Sequence, residues 1–131
     1  MTDWNEFDKW SAALSAWREA RGEGRDGLRA VIHVIANRAA MHNKSWAQIV
    51  YQKLQFSSMT YGQDPQLSVI PIQPDPVFVN CYEIADLIKN GGDFDLTQGA
   101  THYFADSIPM PDWAKGMTET IKIGHHTFYK E

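Results

Sequence analysis

Between positions 28 and 39, Leu28, Val31, Ile32, Ile35 and Ala39 recur at helical spacing and form an almost unbroken apolar face. A helix patterned this way has to be buried, so the rest of the chain must supply its cover. Asp26 is placed to cap it. Upstream, Trp10, Leu14 and Trp17 recur at i, i+4 and i+7 with Ala13, Ala16 and Ala20 beside them, a second helical stripe. Asp3 followed by Glu6 reads as its start and Gly22 as its stop. Ser45 with Gln48 is a capping-box pattern that opens a short third helix running through Tyr51. Asp75 and Pro76 open a fourth, with Phe78, Cys81, Ala85 and Ile88 on its buried face and Gly91 at its end.

Between the third and fourth helices the pattern fails. The stretch "QFSSMTYGQDPQLSVIPIQP", from Gln55 to Pro74, has no sustained period and contains three prolines, which predicts a long loop. After the fourth helix, "ATHYFA", "TIKI" and "HTFYK" read as short strands, the last two a hairpin turning at Gly124 and His125. No repeat, low-complexity tract or linker interrupts the chain. The expectation is one α+β domain, mainly helical, spanning residues 1–131 with a small β-hairpin near the C-terminus.

Charge and cysteine usage narrow the function classes. A net charge of −4 argues against a general nucleic-acid binder, which would show a basic face. Cys81 is the sole cysteine, so no internal disulfide can form, and its apolar neighbours suggest a packed thiol. The five histidines are scattered without ligand spacing, and hydrogen-bonding roles are favoured over metal ligation. No apolar run approaches the roughly 20 residues needed to insert into a membrane. The N-terminal "MTDWNEFDKW" is acidic and amphipathic and lacks a signal-peptide pattern, so the chain is expected to be cytosolic as synthesised.

The stretch "WREARGEG" sets Glu19 at the end of the first helix, beside Trp17 and between Arg18 and Arg21. A carboxylate there faces the negative end of the helix dipole, and an apolar wall disfavours its ionisation further. A carboxyl kept protonated near neutral pH is what a general acid for glycosidic cleavage requires. The plainer alternative, favoured by composition alone, is a solvated ion pair with Arg18 or Arg21. Aromatic residues in the irregular and strand-like parts (Trp113, Tyr61, Tyr103, Phe104, Phe128 and Tyr129) offer flat surfaces on which sugar rings stack. Most of them are expected in the core.

The order of motifs is more specific than any one of them. "WREARGEGRDGLRAVIHVIANR", "VYQKLQFSS", "GATHYFA", "PDWAKGM" and "IGHHTFYK" follow one another from about Leu14 to Lys130. In this the chain resembles the SleB/CwlJ family of cell-wall hydrolases, which includes spore-cortex lytic enzymes and relatives carried by phages and by many bacteria. The resemblance implies a lysozyme-like or lytic-transglycosylase-like domain that cuts the glycan strands of peptidoglycan, without a cofactor or metal. It implies that Glu19, the first glutamate of "EARGE", is the catalytic acid. Gln55, Phe56 and Ser57 match a "QFS" element that would line the cleft, and Thr101, His102 and Tyr103 match "ATHY", opposite the acid. Trp113 and the "GHHTFY" segment, with His126 rather than His125, would complete the walls. Asn37 and Arg38, in "ANR", read as structural residues ending a buried helix. The span Met59–Pro74 follows no motif of the family. The lack of a signal pattern and of a separate peptidoglycan-binding repeat fits a phage or prophage lysin or a stand-alone domain, acting as a monomer.

Two chemical outcomes stay open on the sequence. In a transglycosylase the muramic C6 hydroxyl displaces the leaving group and Glu19 returns as base. In a muramidase water attacks, usually with help from a second carboxylate; Glu23, Asp93, Asp95 and Asp106 are available. The absence of a second-acid motif favours the single-acid route. A zinc amidase and a non-catalytic glycan-binding module are the remaining alternatives. Strand alternation would send Thr101 and Tyr103 to one face and His102 and Phe104 to the other, with Tyr103 expected toward substrate.

Overall fold

The computed structural model describes residues 4–52 and 75–131. The expected cover is there. Helix α2 (Gly24–His42) runs through the middle, with Leu28, Ala30, Val31, Ile32, Val34 and Ile35 all at most 2% exposed. Helices α1 (Trp4–Ala20), α3 (Trp46–Val50) and α4 (Pro76–Lys89) all pack against it. Ala12, Ala13 and Ala16 are completely buried on α1, where their small side chains let the helices come close.

Local signals set the starts of α3 and α4. Ser45 accepts the Gln48 N–H while the Gln48 side chain accepts the Ser45 N–H, a complete capping box. Asp75 caps α4 by accepting from the N–H groups of Val77 and Phe78, with Pro76 as the first helical residue. Its other oxygen accepts the indole N–H of Trp17 at 3.2 Å, tying the start of α4 to the end of α1. Asp8 joins three helices: one oxygen accepts the Ala47 N–H at 3.0 Å and the other pairs with Lys89 at 2.9 Å.

Two expected helix boundaries are corrected. Asp26 does not cap α2. The helix starts at Gly24 with Glu23 at the cap position and no side-chain cap, and Asp26 pairs instead with Arg29 at 2.9 Å. Only Arg21, Gly22 and Glu23 separate α1 from α2, so the second helix begins before Asp26 is reached. Nor do Asn37 and Arg38 end α2. It runs on to His42 and stops at Asn43, which takes the left-handed conformation (φ 53°) that asparagine tolerates.

The C-terminal part is a three-stranded antiparallel sheet in the order β1-β3-β2, with β1 (His102–Ala105), β2 (Thr118–Ile123) and β3 (His126–Lys130). The hairpin turns at Gly124 and His125, as expected, and Gly124 has φ 58°. The strand read from "ATHYFA" adds to the β3 edge of that hairpin. A 3₁₀ helix (Asp112–Gly116) crosses between β1 and β2. Tyr103, Phe128 and Ile121 stand level across the strands, as do Ala105, His126 and Ile123. Phe128 belongs to the core, and Tyr103, Ile121 and Ile123 pack against it, so this face turns toward the helices.

Candidate active site

Glu19 lies in the last turn of α1, which ends at Ala20. It is half-buried between the buried Arg18 and Ala20. Trp17, 5% exposed, is held on two sides: Asp75 accepts its indole N–H, and the Arg21 guanidinium lies 4.4 Å from its ring centre. Arg21 also donates to the carbonyls of Trp17 and Arg18, which satisfies acceptors at the open end of the helix. The glutamate therefore leaves a rigid helix end.

The inner face of the sheet carries Tyr103 and His126. Burial, and then the negative charge of Glu19, push the Tyr103 hydroxyl well above its ordinary pKa, against a smaller opposing effect from Arg38. That coupling puts Tyr103 and Glu19 in one neighbourhood. His126 meets Tyr103 edge-to-face, ring centres 5.2 Å apart and planes at 89°. Its Nδ1 lies 3.0 Å from Glu23 Oε1. Tyr103, His126 and Glu23 thus form one continuous group, on which the charge of Glu19 acts.

The other expected residues separate from it. His102 and Trp113 meet each other on the outer face, ring centres 5.1 Å apart, with Phe104 and Tyr129 against the same tryptophan. Strand alternation makes this split: His102 and Phe104 point away from Tyr103. Thr101, expected to share the Tyr103 face toward substrate, is corrected. It is 1% exposed, and its hydroxyl accepts the Glu131 N–H and contacts His102 Nδ1, so it fastens the C-terminus and lines no open surface. Gln55, Phe56 and Ser57, together with the expected loop to Pro74, lie outside the described residues.

The four carboxylates considered as a second catalytic group all have partners within the fold. Asp93 takes Arg29 at 3.0 Å and His33 at 2.7 Å. Although burial opposes it, these hydrogen bonds hold the Asp93 carboxyl below the usual carboxylate range. Asp95 accepts from Asn37, from the Thr97 hydroxyl and from two backbone N–H groups, and is depressed in the same way. Asp106 faces Lys122 and His125 at the surface. Glu23 holds His126 and the His125 N–H. Among the described residues no group of three or more His, Cys, Asp or Glu could hold a metal ion. Cys81 is buried, and burial pushes its thiol up to about 12, as suits a packed residue. The link from Glu23 to the hairpin was missed on the sequence, where Glu23 read only as a spare carboxylate.

A family model described as Cell Wall Hydrolase matches residues 22–129. The chain belongs to the cell wall hydrolase family. The match starts at Gly22, just past Glu19. Over 118 residues the chain is 30% identical to the spore cortex-lytic enzyme of Bacillus subtilis (strain 168), covering 88% of this chain and 35% of that protein. The chain therefore spans only about a third of the length of that relative. The fold matches the catalytic domain of the Bacillus cereus SleB protein with a TM-score of 0.72 and 26% identity, covering 99% of this chain and 93% of that one. It also matches the catalytic domain of the germination-specific lytic transglycosylase SleB from Bacillus anthracis, with a TM-score of 0.74 and 24% identity, covering 98% and 97%. A mainly helical, lytic-transglycosylase-like fold with a small sheet is what the sequence led one to expect.

Proposed function

We propose that this cell wall hydrolase domain cleaves peptidoglycan glycan strands between N-acetylmuramic acid and N-acetylglucosamine, with Glu19 as the single catalytic carboxyl. The observation that carries the reading is the placement of Glu19. It sits half-buried in the last turn of α1, where its charge reaches Tyr103 on the inner face of the sheet. Among the described residues, Glu23, Asp93, Asp95 and Asp106, the carboxylates weighed as a second catalytic group, are each engaged by other groups of the fold, which supports the transglycosylase route over the muramidase one.

In the first step Glu19 donates its proton to the glycosidic oxygen, and the bond from that oxygen to the muramic anomeric carbon breaks. The C6 hydroxyl of the same muramic residue then bonds to the anomeric carbon, and its proton passes to the Glu19 carboxylate. The products are a 1,6-anhydro end and a free N-acetylglucosamine hydroxyl, with the enzyme back in its starting state. Tyr103, a phenol protonated at neutral pH, is the hydroxyl within electrostatic reach of this charge. It stabilises the site as the carboxyl ionises. The test is digestion of purified sacculi by wild-type and Glu19→Gln proteins side by side. Equal rates would remove Glu19 from the role.

A further inference from the structure

Glu23 lies in the turn between α1 and α2, one helical turn beyond Glu19 along the chain. Its side chain is 13% exposed, and the work of its carboxylate is non-local. Oε1 accepts the His125 N–H at 2.9 Å and pairs with His126 Nδ1 at 3.0 Å. The hairpin turn closes directly over it. A Cβ added at Gly124 would sit 3.2 Å from Glu23 Oε1, and Gly124 already has a φ of +58°. Any larger residue there would press on the carboxylate as well as strain the backbone.

The consequences run along the inner face. A carboxylate on Nδ1 requires the proton on that nitrogen, so Glu23 sets the tautomer and the ring plane of His126. The His126 side chain, 10% exposed, stands edge-on to Tyr103, and Tyr103 feels the charge of Glu19. We infer that Glu23 is a positioning residue: by holding His126 and the β2–β3 turn against the end of α1, it fixes the Tyr103 ring beside Glu19. The inference rests on the reading of Glu19 as the catalytic acid. It also gives Glu23 a task other than that of a second acid, since its Oε1 is doubly engaged under the turn.

The experiment compares wild type, Glu23→Gln and Glu19→Gln as purified folded proteins. Steady-state kinetics on soluble glycan-strand fragments, melting temperatures and ¹⁵N spectra of the histidine rings are measured together. Glutamine keeps the length and one acceptor oxygen but loses the charge. Glu23→Gln is expected to lower kcat by about 10-fold or more while KM stays within about twofold, because small misplacements of a reacting constellation are costly. The His126 resonances are expected to shift away from a purely Nδ1-protonated pattern, because a neutral amide oxygen holds that tautomer less strongly than a carboxylate, with the melting temperature little changed. A wild-type kcat in Glu23→Gln, with Glu19→Gln inactive, would overturn the inference and leave the catalytic reading standing. So would a raised KM at unchanged kcat, an unchanged His126 tautomer, or a Glu23→Gln protein that does not fold. Activity in Glu19→Gln would instead strike the underlying reading and take this inference down with it.

Discussion

On the inner face of the sheet Tyr103, His126 and Phe128 meet the helices, while on the outer face His102, Phe104, Trp113 and Tyr129 meet one another. Both faces are aromatic, and both carry a histidine. What differs is the opposing surface. The inner face meets the turn after α1 where His126 pairs with Glu23, and its tyrosine, Tyr103, is electrostatically coupled to Glu19. The outer face is closed by the 3₁₀ helix and its tryptophan. Residue type alone would not separate them. Strand alternation does, because neighbours in "THYF" point to opposite sides.

The comparison is broken most decisively at the inner face. Glu19→Gln keeps the shape of the side chain but cannot act as the acid, and turnover of sacculi is expected to fall at least ~100-fold with the fold intact. Tyr103→Phe removes one hydroxyl beside Glu19 and is expected to lower turnover by roughly 10-fold, through loss of a single transition-state hydrogen bond. Full activity in Tyr103→Phe, with His102→Ala dead and still folded, would reverse the assignment of the two faces.

Outer-face variants should behave in the opposite way. Trp113→Ala strips the ring that His102, Phe104 and Tyr129 share and is expected to cost about 1–3 kcal/mol of stability, read by denaturant unfolding. Activity per folded molecule should stay near wild type. A larger fall in turnover for Trp113→Ala than for Tyr103→Phe would put the chemistry on the wrong face.

The smallest expected effect lies away from both faces, at Asp93. Its folded-state pKa is depressed, since hydrogen bonds from His33 and Arg29 outweigh burial. A depressed carboxylate contributes stability that is fully present above its unfolded pKa of about 3.9 and is lost as pH falls through the folded value. Wild type should therefore lose stability on acidification below about pH 4, and Asp93→Asn should lose less over that window. Parallel acid unfolding curves for the two proteins would contradict the assignment.

What the sequence made legible was mostly local. The apolar face of α2, the capping box at Ser45, the Asp75 cap and the turn at Gly124 are each written within a few residues, and each formed as expected. The errors came where a distant partner decides. Glu23 takes the cap position of α2 in place of Asp26, while its carboxylate serves the hairpin 102 residues away. Thr101 read as a ligand-facing polar residue, yet its hydroxyl fastens the chain end at Glu131, a contact no strand period encodes. Glu19 was visible as an oddly placed carboxylate. The placing of Tyr103 opposite it came from the order of motifs, not from any local signal.

The central claim is that Glu19 acts alone and that the muramic C6 hydroxyl is the nucleophile. Mass spectrometry of the soluble products released from purified sacculi tests it most directly. The account predicts muropeptides ending in 1,6-anhydro-N-acetylmuramic acid, formed by the wild-type protein and absent with Glu19→Gln. Reducing N-acetylmuramic acid ends would mean that water attacks instead, and stem peptides cut from intact glycan would contradict glycosidic cleavage altogether.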